Sequence, residues 1–507
     1  MRLENSIKNI KMAWIFQLVH IMCQFISRTV IIKVLAIEYV GLSGLFSNVL
    51  MMLSLAELGI GEAIIFSLYK PIAREEKGNI KAIMFLYKKI YIGIGVFILV
   101  VGLAITPYIG IFIKDMPDIK GIYTIYMLYV INSSVSYFFS YKAAFITANQ
   151  SNYIVALNNG IFEVLMVALQ ISILLTTKSY IAYMIIGISF ILMQNISISV
   201  IANRRYPYLR DRENKEKIPK EILGQIKKNT GAMVFHKMGT IVVFATDNLI
   251  LSKFIGLISV GIYANYCTIT NALTLFINKF FQSISASVGH LTVEEDVDIQ
   301  EDIFFKTLFA NFWLYMFLGS CLMALLNPFI GDIWIGEKFL FNDWIVLLIV
   351  IKIYISGMRG AAQTFKNAKG LYWQNRYMPI YESLINLMIS IVLVDYIGVA
   401  GVLLGTIISS ILTCVWIEPY VLYKYGFNKS PKIVYSKYIK YFMVFIIAVG
   451  ITFTMVNFID IRGAGGFLLK CVVSIIVPNL ILFFIYKNRE EFQYLKRIVW
   501  KKLKNQL

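Results

Sequence analysis

The sequence predicts an all-α polytopic membrane protein: fourteen transmembrane helices in two pseudo-symmetric six-helix lobes, plus two appended helices. Three observations lead there. Hydrophobic residues make up 58% of the 507-residue chain and charged residues 15%, and the mean hydropathy is +0.71, far outside soluble usage. Apolar runs recur along the chain, each of about 18 to 28 residues, enough to cross a hydrocarbon core about 30 Å thick. Finally, Pro107-Tyr108-Ile109-Gly110 returns about 220 residues later as Pro328-Phe329-Ile330-Gly331. Lys33, Val40 and Gly41 match Lys253, Val260 and Gly261 at nearly the same offset. So do Phe145 and Ala148 with Phe365 and Ala368, and Ala182 and Gly187 with Ala400 and Gly405.

The first lobe, residues 1–202, holds spans near 12–35, 41–69, 82–106, 121–145, 154–175 and 180–202. Residues 203–228, dense in charge and punctuated by Pro207 and Pro219, read as a cytoplasmic linker. The second lobe, 229–423, holds spans near 229–254, 260–289, 303–327, 343–365, 378–395 and 398–423. An even number of spans returns the chain to its starting side, so the lobes should be related by an axis along the membrane normal, with a cavity between them. Residues 424–486 add spans 440–458 and 464–486, which have no counterpart. In the tail, 487–507, Phe492, Leu495, Ile498, Val499 and Leu503 alternate with basic residues, a pattern that suits a helix on the inner membrane surface.

Lys and Arg crowd the loops on the side that holds the N-terminus and are sparse on the other, which places both termini in the cytoplasm. The net charge of +19 is therefore mostly topology, and nucleic acid is not an expected partner. The first apolar segment is too long and too polar on one side for a cleaved leader, so it reads as a retained span. Cys23, Cys267, Cys321, Cys414 and Cys471 fall inside spans without metal or disulfide spacing. With no phosphate-binding loop and only His20, His236 and His290, neither an ATPase nor a metal enzyme is expected. The acidic stretch Glu294 to Asp302 reads as a solvated charge run.

Polar residues inside the spans are the candidates for function, because each is costly in hydrocarbon. Gln17, His20, Gln24, Ser27 and Arg28 share one side of the first span. Arg28 lies roughly 10 Å below the outer end, where a cation costs on the order of 3 kcal/mol unless it meets water or a partner. The repeat offset sets Ser27 and Arg28 opposite Asp247 and Asn248. Asp247 is open to three roles: pairing with Arg28, pairing with Lys237, or, with His236, taking up a coupling ion. Asn271, Asn278, Gln282 and Ser285 line the eighth span beside Lys279, and suit sugar hydroxyls or interhelical hydrogen bonds equally. Arg28, Lys142, Lys279 and Arg359 are the cations that a phosphate in a low-dielectric cavity would require. Gly59, Gly61 and Pro71 are hinge candidates in the second span.

The runs Val40-Gly41-Leu42-Ser43-Gly44-Leu45-Phe46, Leu53 to Gly61 (LSLAELGIG) and Phe66-Ser67-Leu68-Tyr69-Lys70-Pro71 resemble the bacterial polysaccharide flippases. These are the Wzx-type members of the multidrug/oligosaccharidyl-lipid/polysaccharide superfamily. Thr246-Asp247-Asn248 and Val260 to Tyr266 (VGIYANY) extend the match. The resemblance implies a carrier in the bacterial cytoplasmic membrane that moves an undecaprenyl-diphosphate-linked oligosaccharide outward by alternating access, for O-antigen or capsule. It also implies membrane lipid, a polysaccharide polymerase and chain-length proteins as partners. No cofactor is implied, and the coupling ion, H+ or Na+, stays open. The related peptidoglycan-precursor flippases carry an Arg-Asp pair in the first span; Arg28 matches the Arg, but Thr29 stands for the Asp. A lipid II flippase, a multidrug antiporter of the same fold and a membrane polymerase remain the alternatives.

Overall fold

The computed structural model describes residues 2–57, 59–209, 223–224, 246–371, 373–461 and 463–504. Among these, all regular structure is helical. Eleven helices among the described residues are long and apolar enough to cross a membrane, and the chain is a multi-pass membrane protein. Contacts divide it into two compact units, Met1–Gly261 and Ile262–Leu507.

The first unit contains α1 (Arg2–Val34), α2 (Ile37–Leu53), α3 (Ile60–Ala73), α4 (Lys77–Ile105), α5 (Ile122–Ala148), α6 (Asn152–Thr177), α7 (Tyr180–Arg205) and α8, described over 246–254. The expected second span is not one helix. A 3-10 turn at Ser54–Ala56 ends α2, and Gly59 at φ 79° starts α3. That left-handed backbone is open to glycine and costly for a side chain. Gly61 follows in the first turn of α3, where Tyr91 closes over it, and Pro71 sits inside the last turn. His236 and Lys237 of the expected seventh span lie outside the described residues.

The second unit contains α9 (Leu257–Glu294), α10 (Val297–Pro328), α11 (Asp343–Met358), α12 (Gly360–Ala368), α13 (Met378–Ile397), α14 (Val399–Leu412), α15 (Cys414–Val421), α16 (Lys432–Asn457), α17 (Gly463–Tyr486) and α18 (Glu490–Lys504). Two expected spans are again broken: the tenth at Arg359 between α11 and α12, and the twelfth at Thr413 between α14 and α15.

The sequence repeat has a packing counterpart. The first echo forms the 3-10 turn Thr106–Phe112 that ends α4, and the second forms the π-helical turn Phe329–Trp334 that ends α10. Gly187 lets α7 close on Gln170 of α6, and Gly405 lets α14 close on Ser390 of α13. Gly41 and Gly261 meet directly: a Cβ on Gly261 would lie 3.3 Å from the Gly41 nitrogen. This contact explains why the first turn of α9 belongs with the first unit.

The appended helices are built into the second unit. Tyr441 of α16 stacks on Phe312 of α10 at 4.3 Å, Phe445 stacks on Tyr354 of α11 at 3.9 Å, and Trp313 donates to Asn479 of α17 at 2.9 Å. The tail helix α18 docks on the same bundle. Phe492 is buried beside Trp313 and Phe483, and Glu491 bonds Lys437 at 2.5 Å. The acidic run is also less solvated than its composition implies, since Lys429 bridges Asp298 at 2.6 Å and contacts Glu301, while Lys306 pairs with Asp302.

Candidate functional site

Within the first unit, helical periodicity turns one side of α1 toward α6, and the polar stripe there finds a partner. His20 Nδ1 lies 2.5 Å from a Glu163 carboxylate oxygen, and His20 Nε2 lies 2.8 Å from the Gln24 amide nitrogen. Two turns further along α1, Arg28 is half-buried. Its charge acts on Tyr129 of α5 and Tyr183 of α7, and Ser27 lies beside Tyr183. Tyr129 and Tyr180 hydroxyls lie 2.8 Å apart, Ser43 lies beside both, and the Tyr180 ring stacks on Tyr183. Arg28 thus sits at the edge of a hydroxyl-bearing aromatic group contributed by α2, α5 and α7. Tyr180 is buried within the group, while Arg28, Tyr129 and Tyr183 are partly exposed, which sets a cation beside hydroxyl donors suited to an anion.

The remaining candidates divide among several environments. Lys142 donates to Asn203 at 3.1 Å, which ties the C-terminal ends of α5 and α7. Asp247 is buried on α8, and Asn248 faces Gly44 of α2. In the second unit Asn271, Asn278 and Lys279 lie on an exposed face of α9. Arg359 differs from the sequence expectation of a cation awaiting phosphate. Its Nε and Nη2 donate to Glu418 at 3.1 Å each, and Nη1 reaches Glu382 at 3.4 Å. Gln363 donates to Glu418 at 3.0 Å, Lys366 lies 3.7 Å from it, and Ser410 donates to Glu382 at 2.8 Å. Two cations therefore balance two carboxylates in a buried cluster, and Arg359 spends its charge inside its own unit.

Three further charged groups stand outside the sequence expectations. Glu418 and Lys366 lay near expected span ends, where charge is ordinary. Glu163 lies inside the expected fifth span, and its partner His20 lies on the first. Glu57 lies at the break in the second span and accepts from Tyr91 and, at 3.3 Å, from Tyr137. The signal in each case was the same: an acidic residue inside or beside an apolar run.

No protein-family model matches the chain, and no curated protein matches it. Solved structures do. The lipid II flippase MurJ in an inward closed conformation matches with a TM-score of 0.66 at 14% identity, covering 96% of this chain and 99% of that one. An inward-facing MATE multidrug resistance transporter of the MOP superfamily matches with a TM-score of 0.63 at 13% identity, covering 83% and 99%. A MATE transporter of Vibrio cholerae matches at 0.57 and 12% identity, covering 84% and 99%. The chain has the MurJ and MATE fold. At these identities the likeness establishes architecture, and cargo has to be argued from the residues.

Proposed function

We propose that the protein is a flippase that carries an undecaprenyl-diphosphate-linked oligosaccharide across the bacterial cytoplasmic membrane by alternating access, with both termini cytoplasmic. The observation that carries this reading is the extent of the fold match. A lipid II flippase covers this chain almost end to end, whereas MATE transporters leave about a sixth of it unmatched. The site chemistry supports it: Arg28 beside Tyr129, Tyr180 and Tyr183 joins a cation for a diphosphate to aromatic hydroxyls for sugars. Thr29, where peptidoglycan-precursor flippases have Asp, favours O-antigen or capsule units over lipid II.

The test is a deletion strain complemented with wild type, Arg28→Lys or Arg28→Ala, scored for surface polysaccharide and for lipid-linked repeat units in the membrane. Deletion and Arg28→Ala should both lose polysaccharide and accumulate repeat units at normal protein level, and Arg28→Lys should retain part of the activity. Unchanged polysaccharide in the deletion strain overturns the reading; resistance to amphiphilic cations lost in that strain would assign a drug antiporter instead.

A further inference from the structure

The sequence left the coupling ion open and offered Asp247 and His236 as its ligands. The structure places a different group in position. His20, Glu163 and Gln24 form a three-member chain across the α1–α6 contact, with Glu163 Oε1 to His20 Nδ1 at 2.5 Å and His20 Nε2 to Gln24 Nε2 at 2.8 Å. We propose that this trio is a proton-binding site through which the carrier couples transport to protons. The proposal rests on the transporter reading above and adds the ion and its ligands.

The heavy atoms define which proton sits where. A carboxylate accepts, so Nδ1 donates to Glu163; an amide nitrogen donates, so Nε2 accepts from Gln24. In that state the imidazole is neutral and the trio carries one negative charge. Uptake of one proton from water at Nε2 turns the ring into imidazolium, with the Nδ1–H···Glu163 bond kept. Nε2 then needs an acceptor, and a half-turn of the Gln24 amide supplies its carbonyl oxygen. Release reverses both steps. Gln24 can therefore satisfy either protonation state without moving a helix.

Exposure and isolation both favour this role. The His20 side chain is 44% exposed and that of Glu163 21%, so the pair is open to exchange with its surroundings, unlike the closed Arg359 cluster, where Glu418 is 1% exposed. No other described charge shares the site. Glu163 is the charge that acts on His20, and its field reaches Cys23 one turn away. The titratable side chains of α2, Glu38 and Tyr39, both lie in its first turn; α6 contributes only the amides Asn158 and Asn159 nearby; Arg28 lies about 12 Å further along α1. One proton therefore changes the net charge of the trio from −1 to zero, inside a membrane-spanning pair of helices. A charged trio favours a wet conformation and a neutral one tolerates a closed conformation, which is the bias alternating access requires.

The full-length chain in nanodiscs, labelled with 15N-histidine, gives the direct test with protons alone as the ligand. His20 is assigned by its loss in His20→Gln. The wild-type ring should change protonation state within the pH range over which the nanodisc preparation stays intact, and Glu163→Gln should displace that change by at least tenfold in proton affinity. In cells, His20→Gln and Glu163→Gln should accumulate lipid-linked repeat units as a protonophore makes the wild type do. Glu163→Asp should retain part of the activity, and His290→Gln, at an exposed histidine, should match wild type. The proposal is overturned by a His20 ring that stays in one state across that range, or by His20→Gln and Glu163→Gln that transport normally. Variants are scored only at wild-type level and monodispersity, with Glu163→Asp holding the test if Glu163→Gln fails to accumulate. A wrong cargo shows differently, as a deletion strain with normal polysaccharide while His20 still titrates.

Discussion

Removing the Glu418 carboxylate is the most informative perturbation of the fold. Glu418 receives two Arg359 bonds of 3.1 Å and one Gln363 bond of 3.0 Å, and faces Lys366 at 3.7 Å. Glu418→Ala leaves Arg359 and Lys366 against Glu382 as the one remaining carboxylate, so a positive charge stays buried without its counterpart. Losing one partner of a buried pair costs about 3–5 kcal/mol, because the stranded ion keeps its desolvation penalty. Arg359→Met together with Glu418→Leu removes one charge of each sign, so the net charge of the cluster stays at zero. That double variant should recover most of the loss, since apolar replacement of a whole buried pair is often close to neutral. Unfolding of the full chain in mixed micelles by sodium dodecyl sulfate, followed by tryptophan fluorescence, measures both. A Glu418→Ala loss below about 1 kcal/mol, or a double variant worse than the single one, would refute the argument that this cluster is a closed, charge-balanced unit.

Three further outcomes are expected. Gly41→Ala brings a Cβ onto the Leu257 carbonyl, a backbone atom that cannot rotate away, and should cost about 1–3 kcal/mol in the same assay, whereas Gly450→Ala, with open space around it, should be neutral or slightly stabilising. Gly59→Ala forces a side chain into the left-handed region at φ 79° and should cost about 1–2 kcal/mol. The docking of α18 should depend on pH. Burial raises the Glu491 carboxyl, but the Lys437 ammonium outweighs it and holds the group below the usual carboxylate range. A depressed folded value means that the stabilisation is present above the unfolded value of 4.5 and is lost as pH falls through the folded one. Proteolysis of the tail should therefore rise as pH drops below about 4.5. In Glu491→Gln it should already be high at neutral pH.

Much of the architecture was legible because its signals are local. A bilayer sets a length for each apolar run, and the offset between Pro107 and Pro328 points to matching helix ends, both of which the structure contains. The breaks within spans were less legible. Gly59 announced one through its residue type, but Arg359 and Thr413 are residue types that a helix accommodates. The acidic run from Glu294 looked solvated because Lys429, which bridges Asp298 and Glu301, is more than a hundred residues away.

By itself the sequence determined that this is a helical membrane protein with a duplicated plan and a basic, amphipathic tail, since hydropathy and charge act through helix periodicity and through the membrane as a uniform solvent. Only the tertiary structure decided what each intramembrane charge does. Arg28 and Arg359 are equivalent as letters, yet Arg28 borders tyrosine hydroxyls while Arg359 is neutralised by Glu418, 59 residues on. His20 meets Glu163 across 143 residues of chain. In a low-dielectric interior the effect of a charge depends on what lies within a few ångströms, and those neighbours come from other helices.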